Sequence, residues 1–66
     1  MERNTLHILE NKLEELKRDK DVLVFKRKRA LYADHFLDAD KYEIEIENIL
    51  TEIEKVRVEI QNYLLQ

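Results

Sequence analysis

The chain of 66 residues contains neither glycine nor proline. These two residues supply most tight turns, phosphate-binding loops and strand ends, so their absence restricts the folds that the chain can adopt. Glutamate, lysine, leucine and isoleucine are abundant instead, a composition typical of long helices and coiled coils. We therefore expect a single all-α domain, residues 1–66, with little interior to bury.

Several classes of protein are excluded by residues that the sequence lacks. It has no cysteine, which excludes disulfides, thiolate zinc sites and thiol catalysis, and no serine, which removes another common nucleophile. The formal net charge of −3 predicts solubility rather than binding to a polyanion or a membrane. No apolar run approaches the ~20 residues that cross a bilayer, and the first residues do not resemble a signal peptide. We expect a cytoplasmic protein.

Apolar residues recur at spacings of three and four in both halves of the chain, which predicts two amphipathic helices. The first series is interrupted at Lys20 and consists of Leu6, Leu9, Leu13, Leu16 and Leu23. The second is continuous and consists of Tyr42, Ile46, Ile49, Ile53, Val56, Ile60 and Tyr63. Residues 42–47 also alternate with period two, as a strand would. The helical spacing continues beyond them, however, and strands of that length are rare.

The segment between the two series predicts the turn of a hairpin. We expect helix 1 over about residues 3–33, a turn over about 34–38 and helix 2 over about 39–65. Asp38 or Asp40 can cap the second helix, and Asp40 with Glu43 fits a capping box. Helices of similar length joined by a short polar break pack antiparallel. The predicted fold is therefore a two-helix antiparallel coiled-coil hairpin, and we expect it to self-associate.

The sequence predicts no catalytic, metal or cofactor site, and we expect the chain not to be an enzyme. A two-helix hairpin offers no pocket that excludes water. His7 and His35 are too far apart to share a metal ion. The basic run at residues 26–29 spreads around more than a full helical turn, so it makes no single basic face, and acidic residues outnumber basic ones. We expect no direct contact with nucleic acid and none with a membrane.

The half of helix 1 next to the turn carries more apolar surface than one partner helix can cover. Val22, Phe25, Tyr32 and Phe36 are offset from the stripe formed by Leu23, Val24, Ala30 and Leu31. One interpretation is that Phe25 and Tyr32 wrap partway around the hairpin core. The interpretation that we favour is an apolar patch that meets another copy or another protein, because aromatic side chains anchor small interfaces.

Residues 31–42, around the predicted turn, read Leu-Tyr-Ala-Asp-His-Phe-Leu-Asp-Ala-Asp-Lys-Tyr. This segment resembles the coiled-coil arm of large serine recombinases, the integrases of phages and mobile elements, whose turn follows the outline Leu-Tyr-x-Asp-Gly-x-Ile-Asp-x-x-x-Tyr. In that family the arm is a helical hairpin inserted in a zinc-ribbon DNA-binding domain. His35 stands where the family often has glycine, and a positive φ there would cost more with histidine.

This resemblance implies that the chain is an excised arm whose catalytic domain lies outside it. It also implies that arms of different subunits meet at their turn ends during synapsis, in a bacterial host cell, and that these contacts help decide the direction of recombination. The implied partners are other copies of the arm, in a weak homo-oligomer, and a recombination directionality factor. The implied contact residues are Tyr32, Phe36, Leu37 and Tyr42, with Val24 and Phe25 as flanking support.

Two alternatives remain at the level of sequence. The first is a free-standing regulator similar to the plasmid copy-control protein Rop, which is a dimeric four-helix bundle that binds RNA. The segment Leu37-Asp38-Ala39-Asp40 resembles the turn of that protein. Lys20 and Arg27 interrupt the inner apolar series that such a bundle requires. The second alternative is a small phage-type inhibitor that docks its aromatic patch on a host protein.

Overall fold

The computed structural model describes residues 2–66, with side chains from residue 4 onward, and consists of two long helices. Helix α1 spans Glu2–Tyr32 and helix α2 spans Phe36–Leu65. Because only residues 33–35 separate them and they contact along their length, the two helices are antiparallel. The molecule is a rod with principal extents of 49 × 14 × 11 Å. The predicted all-α helical hairpin is confirmed.

The end of α1 is closed by a Schellman motif, in which two backbone N–H groups beyond the helix satisfy its last free carbonyls. The N–H of His35 donates to the carbonyl of Ala30 at 2.8 Å, and that of Asp34 donates to the carbonyl of Leu31 at 3.1 Å. Asp34 has a φ of 60°, the left-handed conformation that the motif requires, whereas His35 has a φ of −89°. The residue with positive φ is therefore Asp34, one position before the glycine of the family outline.

The turn is shorter than predicted, and α2 begins three residues before the predicted start. His35 occupies the N-cap position, and within the described chain its side chain makes no capping hydrogen bond. The predicted capping by Asp38 or Asp40 is wrong. Once the Schellman motif closes α1 at His35, the backbone enters α2 directly at Phe36. Asp38 then lies in the first turn, where its charge suits the helix dipole, and Asp40 lies beyond the free N–H groups.

Replacing Asp34 with glycine should stabilise the hairpin by about 1 kcal/mol. Glycine adopts the left-handed conformation without the steric cost that a Cβ imposes, and the change also removes a negative charge beside the C-terminal end of α1. We expect a higher urea midpoint in a circular dichroism titration. His35→Gly is the matched control: its φ is already negative, so glycine only adds freedom to the unfolded chain. Stabilisation by His35→Gly rather than by Asp34→Gly would contradict this account of the turn.

The core is a single line of side chains between the helices, here called the inner seam. It repeats every seven residues in both helices, and every member is buried or half-buried. In α1 it comprises Leu6, Leu9, Leu13, Leu16, Lys20, Leu23, Arg27 and Ala30. In α2 it comprises Ala39, Tyr42, Ile46, Ile49, Ile53, Val56, Ile60 and Tyr63.

Four members of the inner seam are buried: Ala30, Ala39, Ile53 and Val56. The two alanines lie beside the turn, where a three-residue connection holds the helices close together and larger side chains would force them apart. Most other members are half-buried, because one partner helix covers only one side of each. Lys20 and Arg27 occupy seam positions, so the seven-residue spacing continues through the interruption seen in the sequence.

Candidate interaction surface at the turn end

Among the described residues, no group of three or more His, Cys, Asp or Glu residues is placed to hold a metal ion. Across residues 2–66, neither helix combines the length and the apolar character that a bilayer crossing requires. The described surface does carry large exposed apolar side chains, and several of them lie at the turn end of the rod.

Four apolar side chains lie exposed near the turn end, and we call them the tip patch: Leu31, Tyr32, Phe36 and Leu37. Tyr32 is 91% exposed, Leu37 is 80% exposed and Phe36 is 59% exposed. The last residues of α1 and the first of α2 supply the patch, so the short turn itself brings it together. Large apolar side chains at this level of exposure, gathered at one end of a molecule, are typical of a surface that another protein covers.

The structure divides the six residues that the sequence indicated for this surface. Tyr32, Phe36 and Leu37 lie exposed at the tip, and Phe25 lies exposed about two turns back along α1. Tyr42 and Val24 are half-buried instead, and Tyr42 belongs to the inner seam. The predicted continuous face from Val22 to Phe36 on one helix is wrong, because Phe36 is the first residue of α2.

One member of the tip patch was not indicated by the sequence. Leu31 was assigned to the stripe that faces the partner helix, but 39% of its surface is exposed. Leu31 directly follows the seam residue Ala30 and therefore lies one position outside the seven-residue repeat. This position in the sequence could have predicted that Leu31 is exposed.

Charged groups of both signs surround the tip patch. On the α1 side, Lys28 lines a shallow depression with Leu31 and Tyr32. Also on that side, the guanidinium of Arg29 lies 5.9 Å from the centre of the Phe25 ring, within the range of a cation–π contact. On the turn and α2 side, a second depression contains Asp34 and Asp38. An apolar centre with a polar rim is the usual composition of a protein–protein interface.

The whole molecule exposes more surface than its mass predicts for a compact monomer. Its accessible surface is 5690 Å² for a mass of 8.1 kDa. A compact protein of this mass would expose about 4,500 Å², so the excess is about 1,200 Å². The excess follows from the elongated shape of the hairpin, whose extents are 49 × 14 × 11 Å, because each helix is covered on one side only.

Comparisons with protein-family models, with curated proteins and with solved structures found no match to this chain.

Proposed function

We propose that this chain is a non-catalytic protein-interaction module that binds through its tip patch. The observation that carries the proposal is the exposure of Tyr32, Phe36 and Leu37 at one end of a rod 49 Å long. Exposing such side chains to water is unfavourable, and aromatic anchors of this kind contribute most of the binding energy in small interfaces. The hairpin holds them in place before binding, which lowers the entropic cost of association.

The mixed rim of the tip favours another copy of the same chain as the partner. A two-fold contact between two tips can bring Lys28 of one against Asp34 of the other, whereas Arg29 and Asp38 line one depression within the same chain. This pairing neutralises charge on both sides of the apolar centre. The tip patch alone is smaller than a standard interface, so we expect weak association.

We propose further that this module is the coiled-coil arm of a serine integrase. In this role it would join subunits during synapsis and control the direction of site-specific recombination, in the cytoplasm of a bacterial host cell. The support for this assignment is the resemblance of residues 31–42 to the arm of that family, together with the position of the tip patch at the end of a 49 Å rod. A rod of this length lets its tip reach a second subunit, and a directionality factor would compete for the same surface or redirect it.

The Rop-like alternative has less support. Its sequence match, residues 37–40, lies within α2 rather than in the turn. Its bundle would also bury Lys20 and Arg27 against a second hairpin, and burying unpaired charges is costly.

The tip proposal predicts that Tyr32→Asp combined with Phe36→Asp abolishes tip-mediated association. Aspartates at the centre of the contact would have to lose their hydration, and the four that a pair of tips would then carry would repel one another. We expect the apparent Kd to rise by at least about tenfold in sedimentation equilibrium, with unchanged helicity in circular dichroism. In an integrase that carries this arm, the same pair should lower integration while DNA binding is retained.

The matched control introduces the same chemistry at the opposite end of the rod. Ile8 and Leu64 are 65% and 66% exposed, so Ile8→Asp with Leu64→Asp adds two charges at similarly exposed apolar positions. This control should associate like the original chain. Equal loss in both variants would point to net charge rather than to the tip, and no loss in either would exclude the tip as an interface.

A further inference from the structure

Helix α2 carries a second apolar series, on the side that faces away from α1. We call it the outer stripe, and it recurs every seven residues: Leu37, Ile44, Thr51, Val58 and Leu65. Its four aliphatic members are between 44% and 85% exposed. The hydroxyl of Thr51 donates to the carbonyl of Glu47 at 3.1 Å, so its polar group is already satisfied within the helix.

The outer stripe lies on the side of α2 opposite the inner seam. Ile44, for example, is two residues from both Tyr42 and Ile46, which is about half a helical turn. In a two-helix coiled coil this is the position that projects furthest into solvent, and it is ordinarily polar. The corresponding positions in the first half of α1 hold Asn11 and Arg18. The hairpin itself therefore does not explain why α2 is apolar there along its whole length.

We propose that the outer stripe docks a second copy of this chain, with the two α2 helices parallel and side by side. Equivalent members then meet in layers, Ile44 against Ile44 and Val58 against Val58 of the second copy. The seven-residue repeat is what such a pairing requires, because it keeps the stripe facing a neighbouring helix over many turns.

The charges that flank the outer stripe select the parallel arrangement. The first flank consists of the residues three positions after the stripe members: Asp40, Glu47, Glu54 and Gln61. The second flank consists of the residues four positions after them: Lys41, Asn48, Lys55 and Asn62. In a parallel pair the first flank of each helix faces the second flank of its neighbour. Asp40 then lies near Lys41 of the second copy, and Glu54 lies near Lys55 of the second copy. At the two remaining levels, the side chain on the second flank is the amide of Asn48 or Asn62.

An antiparallel pair with Ile44 opposite Val58 of the second copy would bring Glu47 against Glu54 of the second copy. Its lysines would face Asn48 and Asn62 instead of carboxylates, so this arrangement gains no opposite-charge contact and has two like-charge contacts that disfavour association. Within one chain, Lys55 Nζ lies 3.6 Å from a carboxylate oxygen of Glu52, and both side chains are largely exposed. Exposed pairs of this kind contribute little, so Lys55 can exchange Glu52 for Glu54 of the second copy at small cost.

The area available makes this dimer a weak one. Two helices about 45 Å long, packed side by side at an interaxial distance of about 9 Å, bury ~800 Å² in total. Stable interfaces bury about 1,200 Å² or more. A parallel dimer also places the tip patches of its two chains at the same end. Two such dimers could then contact each other through two tips at once, and they would bind more tightly than two single chains would.

Cross-linking through a single cysteine tests the parallel register, because the chain has no cysteine of its own. In a parallel pair, Val58→Cys faces itself across the layer and should form a disulfide dimer in a glutathione redox buffer. Arg18→Cys, at the corresponding outward position of α1, is the matched control. We expect at least about tenfold more dimer for Val58→Cys, and loss of that excess when Ile44→Glu is added.

The proposal is overturned if both single-cysteine variants cross-link equally. It is also overturned if Val58→Cys pairs preferentially with Ile44→Cys in a mixture, which is the antiparallel result.

Charge complementation gives a second readout that does not alter the apolar stripe. Glu54→Lys and Lys55→Glu should each raise the apparent Kd at least about fivefold, since each places two like-charged pairs in a parallel dimer. A mixture of the two variants should recover association, because opposite charges then face each other on both flanks. In an antiparallel dimer Glu54→Lys alone would strengthen association, so that result, or a mixture no stronger than either variant, excludes the parallel pair.

This dimer and the tip contact can fail independently. Cross-linking through Val58→Cys should persist when Tyr32→Asp and Phe36→Asp are present, since neither residue belongs to the outer stripe. Loss of cross-linking in that background would mean that the tip, and not the outer stripe, holds the copies together, and it would overturn the outer-stripe proposal alone.

Discussion

Replacing Val56 with aspartate should unfold the hairpin. Val56 is 1% exposed, the most completely buried large side chain among the described residues, and it lies in the inner seam. The substitution loses about 2 kcal/mol of apolar burial and places a carboxylate at a position that solvent does not reach. An uncompensated buried charge costs about 3–5 kcal/mol. A two-helix protein of this size has a total stability of about 3–5 kcal/mol at most, so little folded protein should remain.

Val58 provides the matched control, because it is the same residue type two positions further along the same helix. It belongs to the outer stripe and is 44% exposed. At dilute, monomeric concentrations, Val58→Asp should keep the helicity of the original chain, whereas Val56→Asp should lose most of it in far-ultraviolet circular dichroism. Similar helicity in the two variants would mean that the inner seam does not stabilise the helices, and the hairpin as described would then be wrong.

The hairpin was predictable from the sequence because a seven-residue apolar repeat has one low-energy solution. Leu6 to Leu23 and Tyr42 to Ile60 each form a seam that only a facing helix can cover, and the absence of glycine and proline leaves few places for the chain to reverse. The position of the turn depends on smaller differences in conformational free energy between neighbouring residues. Asp34 and His35 can both adopt positive φ, and Asp34, Asp38 and Asp40 can all cap a helix, so local preferences alone left the boundaries open.

The candidate surface was predicted in part, and the residues that were missed follow from periodicity. Tyr42 received two interpretations, a seam residue from its spacing and a tip contact from the family resemblance, and the structure places it in the seam. Val24 is half-buried beside the seam residue Leu23. Of the outer stripe, the sequence indicates Leu37 as a tip contact, and Ile44 and Val58 as apolar residues outside the main series of the second helix. Continuing their spacing of seven also gives Thr51 and Leu65.

Replacing the two charged residues of the inner seam with leucine should have the second-largest effect, in the stabilising direction. Arg27 Nε is buried and has no hydrogen-bond partner among the described residues. A buried donor left without a partner costs about 1–3 kcal/mol. Lys20 keeps its ammonium near solvent, 3.6 Å from the exposed carboxylate of Asp21, a contact that contributes little. Both positions therefore weaken the half of the seam that lies nearer the turn.

We expect Lys20→Leu with Arg27→Leu to raise the free energy of unfolding by roughly 2–4 kcal/mol, since leucine at both positions buries apolar surface and removes the unpaired donor. The measurement is urea unfolding by circular dichroism at several dilute concentrations, where an unchanged midpoint shows that the gain belongs to the monomer. Lys17→Leu with Arg18→Leu has the same composition and charge, but its leucines are exposed, so it should change stability by less than about 0.5 kcal/mol. Equal gains in the two variants would show that added hydrophobicity alone is responsible. A loss on replacing Lys20 and Arg27 would show that these two charges stabilise the seam they interrupt.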